Sequence, residues 1–186
     1  HSVLLNQKKK YALLIGSEQM SRILDMKDRS TCVLFGDGAA AAVLTLEENE
    51  FYQKAWSDGN DETLSCKGVG FENQHISMEG SKVFKFAVKA IAQGIDEILE
   101  KTGKTTRDID YVVCHQANER IIDHVSRKYK GVKFYKNMDR YANTSAASIP
   151  IALDEMYENG MLKDGMQIIC VGFGAGFTWS SALLTI

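Results

Sequence analysis

Residues 81–101 set the first constraint. Val83, Phe84, Ala87, Val88, Ile91, Ile95, Ile98 and Leu99 recur at helical spacing and fall within one arc of about 160° around a helix axis. Lys82, Lys85 and Lys89 share the opposite side, and Gly103 is a natural stop. A helix this long with one apolar stripe needs a broad apolar surface to lie on. The neighbouring segments supply it. Residues 11–15 (YALLI) read as a buried strand ended by Gly16, and 32–35, 39–46, 109–114, 132–135, 167–171 and 177–186 read as further strands. Residues 17–24, capped by Ser17, read as a short helix, and 119–129 and 145–159 as longer ones. Pro150 stands in the first turns of the last helix, where proline is tolerated. Residues 47–80 are polar and irregular and predict a long excursion with short strands. Strands alternating with amphipathic helices, closed by a strand pair, predict an α/β fold with a mixed sheet covered by helices.

Charge and composition remove several function classes. The net charge of −2 argues against nucleic-acid binding, and the longest apolar runs fall far short of a membrane span. No signal peptide opens the chain. Cys32, Cys66, Cys114 and Cys170 form no C-x-x-C pair, so a zinc site is not expected, and a reducing cytoplasm suits them. No metal or cofactor is predicted. The chain begins at His1 rather than Met, which predicts a missing upstream segment.

Three short motifs carry candidate chemistry. Residues 115–118 (HQAN) follow a strand and open a helix, the end of a sheet where ligands bind. A histidine there can present a ring nitrogen to a substrate, or simply be satisfied at a strand end. Residues 143–148 (NTSAAS) are ordinary turn and cap residues, or an asparagine amide with small neighbours that leave room for a ligand. Residues 172–177 (GFGAGF) lack the G-x-G-x-x-G spacing and precede a strand, which excludes a dinucleotide fingerprint. They read as a tight hairpin, or as a loop aiming N–H groups at an oxyanion. On the helix at 119–129, Arg120, His124, Arg127 and Lys128 recur at i, i+4, i+7 and i+8 and form a basic stripe.

Taken in order, residues 34–39 (LFGDGA), 83–88 (VFKFAV), 115–118, 143–148 and 174–179 (GAGFTW) resemble the β-ketoacyl-ACP synthase III family of condensing enzymes. The resemblance covers nearly all of residues 11–186, and residues 1–10 carry none of it. It implies a thiolase-like half with a five-stranded mixed sheet and helices on both faces. Residues 1–35 would be the tail of a first half and 36–186 the second half. It implies decarboxylative condensation of acyl-CoA with malonyl-ACP, a cytoplasmic homodimer, and no cofactor beyond the CoA thioester. His115 and Asn143 would be the catalytic donors, and Ala175 would offer an oxyanion N–H. Phe173, Gly80 and Ser81 would line the substrate path. Lys85, Arg120, Arg127 and Lys128 would dock the acidic acyl carrier protein (ACP). The family nucleophile is a cysteine in a setting that none of the four cysteines here has, so residues 1–186 alone are expected to be inactive. The alternatives are a related condensing enzyme of secondary metabolism and a non-catalytic ACP-binding fragment.

Overall fold

A computed structural model describes residues 2–48, 50–60, 62–68, 70 and 74–186. In chain order its elements are α1 (Ser2–Gln7), β1 (Tyr11–Glu18), β2 (Gly38–Thr45), β3 (Tyr52–Asn60), β4 (Leu64–Ser65), β5 (Ser77–Met78) and α2 (Gly80–Thr102). There follow β6 (Tyr111–Cys114), α3 (Glu119–Ser126), β7 (Lys133–Phe134), α4 (Met138–Tyr141), α5 (Ser148–Glu158), β8 (Gln167–Gly174) and β9 (Gly176–Thr185).

The expected five-stranded mixed sheet has the order β3-β9-β8-β6-β7. β6 runs parallel to β7 and β8, while β9 is antiparallel to β8 and β3. All four residues of β6 are buried, as a strand covered on both faces requires. Their parity separates two cores. Val112 and Cys114 join Ile91, Ile95 and Ile98 of α2 and Ile121, Ile122 and Val125 of α3. Tyr111 and Val113 join Ala152 and Met156 of α5 on the other face. The stripe that predicts α2 is thus the side that covers the sheet, and Gly103 ends the helix at φ 68°. On its far side α5 meets β2, which pairs with β1 in a separate two-stranded sheet.

Several local expectations change. The strand at 11–15 extends through Gly16 to Glu18 and is exposed rather than buried: Leu13 and its partner Val43 are 62% and 69% accessible. Periodicity reports that a face is apolar, not what covers it. Ser17 lies in β1 and caps nothing; the short helix is a 3₁₀ turn, Met20–Ile23. Residues 32–35 form turns rather than a strand, with only Phe35 bridging, to Asn143. The excursion at 47–80 contains the nine-residue edge strand β3, whose polar residues hide it from a hydrophobicity reading. The glycine-rich segment is β-strand up to Gly174, and Ala175 alone turns the chain into β9.

Candidate active site

The parallel strand β6 delivers His115 to the carboxyl end of the sheet, where its N–H donates to the Val171 carbonyl at 2.8 Å. The HQAN tetrapeptide then divides its work. Asn118 caps α3, its Oδ1 accepting the Arg120 N–H at 3.0 Å. Gln116 is buried; its Nε2 donates to the Cys114 carbonyl at 2.8 Å and its Oε1 accepts the Asn137 N–H at 3.1 Å. The Asn137 amide donates in turn to Glu155, which Arg140 pairs from the surface side.

His115 itself faces a cavity of about 930 Å³. Its Nδ1 lies 2.7 Å from the Ser148 Oγ, at the start of α5. That oxygen already accepts the Gln116 N–H at 3.3 Å. The Ser148 hydroxyl can donate its proton to an unprotonated Nδ1, and in that arrangement the ring proton sits on Nε2. Burial pushes the imidazole down to about 4, because a cation would lose its hydration there. The ring is neutral at neutral pH, and in the Nε2-protonated tautomer it is a hydrogen-bond donor toward the cavity.

Asn143 reaches the same cavity from the loop between α4 and α5. It is 7% accessible, and its Oδ1 accepts the Ser145 N–H at 3.0 Å. With the amide oxygen occupied, Nδ2 is the group left for a ligand. Two neutral donors on one cavity suit an oxygen that gains negative charge during reaction. Phe173 and Ala175 share the wall, and the Phe173 ring stands edge-on to His115 at 5.1 Å. Gly80 lines the cavity, whereas Ser81 is exposed outside its wall. Phe86 and Trp179, 5.5 Å apart edge to face, extend the aromatic lining. Phe86, Trp179 and Ser148 lie within the segments VFKFAV, GAGFTW and NTSAAS, but the sequence assigns none of them a separate role: Ser148 reads as a cap, and the two rings as ordinary apolar residues.

Lys85, Arg120, Arg127 and Lys128 are all exposed, the first on α2 and the others on or just after α3. Lys128 is paired with Asp96 at 2.6 Å. Cys114 and Cys170 are poor nucleophiles: burial raises both thiols, Cys170 to about 12. Cys66 borders the cavity, and its thiol donates to the Gln74 carbonyl at 3.1 Å. Among the described residues no cluster of three potential metal ligands occurs, and no helix is long and apolar enough to cross a membrane.

Comparison with known proteins follows the same geometry. The family model described as 3-Oxoacyl-[acyl-carrier-protein (ACP)] synthase III C terminal matches residues 99–186, and that described as 3-Oxoacyl-[acyl-carrier-protein (ACP)] synthase III matches residues 1–59. The second match includes the first ten residues, in which no motif is visible. A beta-ketoacyl-[acyl-carrier-protein] synthase III from Clostridium novyi is 50% identical over 94% of this chain and 59% of its own length. The solved synthase III of Thermus thermophilus superposes with a TM-score of 0.92 at 38% identity, covering 100% of this chain and 62% of that one. A priming beta-ketosynthase from the R1128 polyketide pathway gives a TM-score of 0.87 at 30% identity, covering 95% of this chain and 57% of that one. The chain thus spans less than two thirds of the length of the curated relatives it matches.

Proposed function

This chain belongs to the 3-oxoacyl-ACP synthase III family, and from that premise we propose that it supplies the decarboxylation half of a condensing enzyme's active site. The substrates are an acyl-CoA and malonyl-ACP. The acyl group is first transferred to a cysteine thiolate outside residues 1–186, releasing CoA. The malonyl C–C bond then breaks, CO₂ leaves, and the electron pair moves onto the thioester as an enolate. The enolate carbon attacks the acyl-cysteine carbonyl, the C–S bond breaks, and 3-oxoacyl-ACP forms. His115 Nε2 and Asn143 Nδ2 stabilise the thioester oxygen while it carries charge. The Ala175 N–H serves the oxyanion of the acyl steps, and Phe173 and Gly80 border the path of the substrate, from which the exposed Ser81 is set apart.

One observation carries this reading: both side chains reach one cavity with their other polar atom already occupied, His115 Nδ1 by Ser148 and Asn143 Oδ1 by the Ser145 N–H. The 50% identity to the Clostridium novyi synthase, against 30% to the polyketide priming enzyme, favours fatty-acid initiation over secondary metabolism. Lys85, Arg120, Arg127 and Lys128 dock the acidic carrier protein, speeding encounter by charge. The enzyme acts as a cytoplasmic homodimer. In this reading residues 1–35 end the first half and 36–186 form the second. The pairing of β2 with β1 favours counting Gly38–Thr45 with the first. Incubation of the full-length protein with acetyl-CoA and malonyl-ACP tests the proposal: 3-oxobutyryl-ACP should accumulate, and unchanged malonyl-ACP would contradict it.

A further inference from the structure

We infer that Gly36 and Gly38 are positioning residues for the Asn143 amide, acting across more than one hundred residues of sequence. The Asn143 N–H donates to the Leu34 carbonyl at 2.9 Å, and the Gly36 N–H donates to the Asn143 carbonyl at 2.9 Å. These bonds form the parallel bridge between Phe35 and Asn143. The bridge holds a loop that resists its own conformation. Ala142 and Ser145 flank Asn143 with φ of 56° and 50°, values that side chains with a Cβ rarely adopt. An isolated loop of this sequence would relax, and Asn143 would move with it.

The bridge requires close approach of two backbones. A Cβ on Gly36 would stand 2.7 Å from the Tyr141 carbonyl oxygen, which is backbone and cannot swing aside. A Cβ on Gly38 would stand 2.9 Å from the Thr144 Cγ2 and 3.0 Å from the Ile151 Cδ1, both side-chain atoms. Gly36 has ordinary φ, so the requirement is space rather than backbone freedom. Gly36 and Gly38, neither of which lines the cavity, thus act on catalysis without touching substrate.

This inference rests on the decarboxylation reading of Asn143. Its test uses the full-length enzyme with Gly36→Ala, Gly38→Ala, Thr144→Ser and the Gly38→Ala/Thr144→Ser pair. Three quantities are read: malonyl-ACP decarboxylation, acetylation of the enzyme by acetyl-CoA, and hydrogen exchange of a peptide spanning 141–147. Gly36→Ala should lower decarboxylation about 10²-fold, the scale of a displacement near 1 Å, leave acetylation within about twofold, and speed exchange in the peptide. Gly38→Ala should do less, and adding Thr144→Ser, which removes the Cγ2 but leaves the Ile151 Cδ1 at 3.0 Å, should recover part of the loss; distant unlinked sites would merely add. Wild-type decarboxylation and exchange in Gly36→Ala and Gly38→Ala would overturn the inference, as would a parallel fall in acetylation. If the wild-type enzyme decarboxylates nothing, the functional reading falls, and the exchange data alone still decide whether the glycines hold the loop.

Discussion

The Nδ1 of His115 lies 2.7 Å from the Oγ of Ser148, a residue thirty-three positions later that opens α5. The contact ties the end of β6 to the start of α5, which covers one face of the sheet. A hydroxyl that donates to Nδ1 favours the ring proton on Nε2, and so a side chain that donates toward the cavity.

Ser148→Ala removes that choice. Decarboxylation of malonyl-ACP by the full-length protein should fall about 10-fold to 10²-fold, less than the loss of about 10⁴ for a wrong tautomer in a serine protease, because Ser148→Ala leaves both tautomers populated instead of imposing the wrong one. Ser148→Thr keeps the hydroxyl and should recover most of the rate. Nitrogen-15 chemical shifts of the imidazole report the tautomer directly: Nε2-protonated in the wild type, mixed in Ser148→Ala.

His115 also gives a pH signature. Its folded value, about 4, lies below the ordinary 6.5. As pH falls, the unfolded chain takes up the proton first, so stability is complete above about 6.5 and is lost progressively toward pH 4. Because the ring is partly open to the cavity, the loss between pH 7 and 5 should be about 1–2 kcal/mol. Urea unfolding at the two pH values should show it, and His115→Gln should flatten the difference. Asp28, Asp37, Asp108 and Glu97 are held low by hydrogen bonds and ion pairs, so their contribution is lost only in more acidic solution.

Much of this site is legible in the sequence because chemistry and local order coincide there. HQAN sits where an apolar strand meets a helix cap, and the α2 stripe predicts the covering helix to within one residue at each end. What stays hidden depends on partners far along the chain. Ser148 reads as a cap until folding sets it against His115. Residues 52–60 are too polar to announce an edge strand. Leu13 and Ile15 look like core because their apolarity is visible and their exposure is not. The strain at Ala142 and Ser145 has no sequence signal, since neither residue favours positive φ.

The buried chain Gln116–Asn137–Glu155 ends at Arg140, whose guanidinium pairs with a carboxylate that is 8% accessible. Arg140→Ala should lower unfolding stability by about 1–3 kcal/mol, the cost of leaving a buried polar group short of a partner. Arg140→Lys should recover part of this. Urea midpoints of the two variants check it, and equal midpoints for Arg140→Ala and wild type would show that water replaces the guanidinium.

Charge reversal should separate the basic residues of α3. Lys128 is tied to Asp96 and Lys136 to Glu119 and Asp123, so their charge is partly neutralised. Arg120→Glu should raise the KM for malonyl-ACP roughly fivefold at low salt, about 1 kcal/mol, and Lys128→Glu less. Both effects should shrink in high salt as the charges are screened, and kcat should stay unchanged.

The central claim is that His115 and Asn143 together stabilise the thioester oxygen during decarboxylation. The most direct measurement is CO₂ release from malonyl-ACP by the full-length protein carrying His115→Ala or Asn143→Ala, with acetyl transfer from acetyl-CoA followed in parallel. Each variant should lose about 10²–10³-fold in decarboxylation while still accepting the acetyl group. Wild-type CO₂ release from both variants would contradict the account.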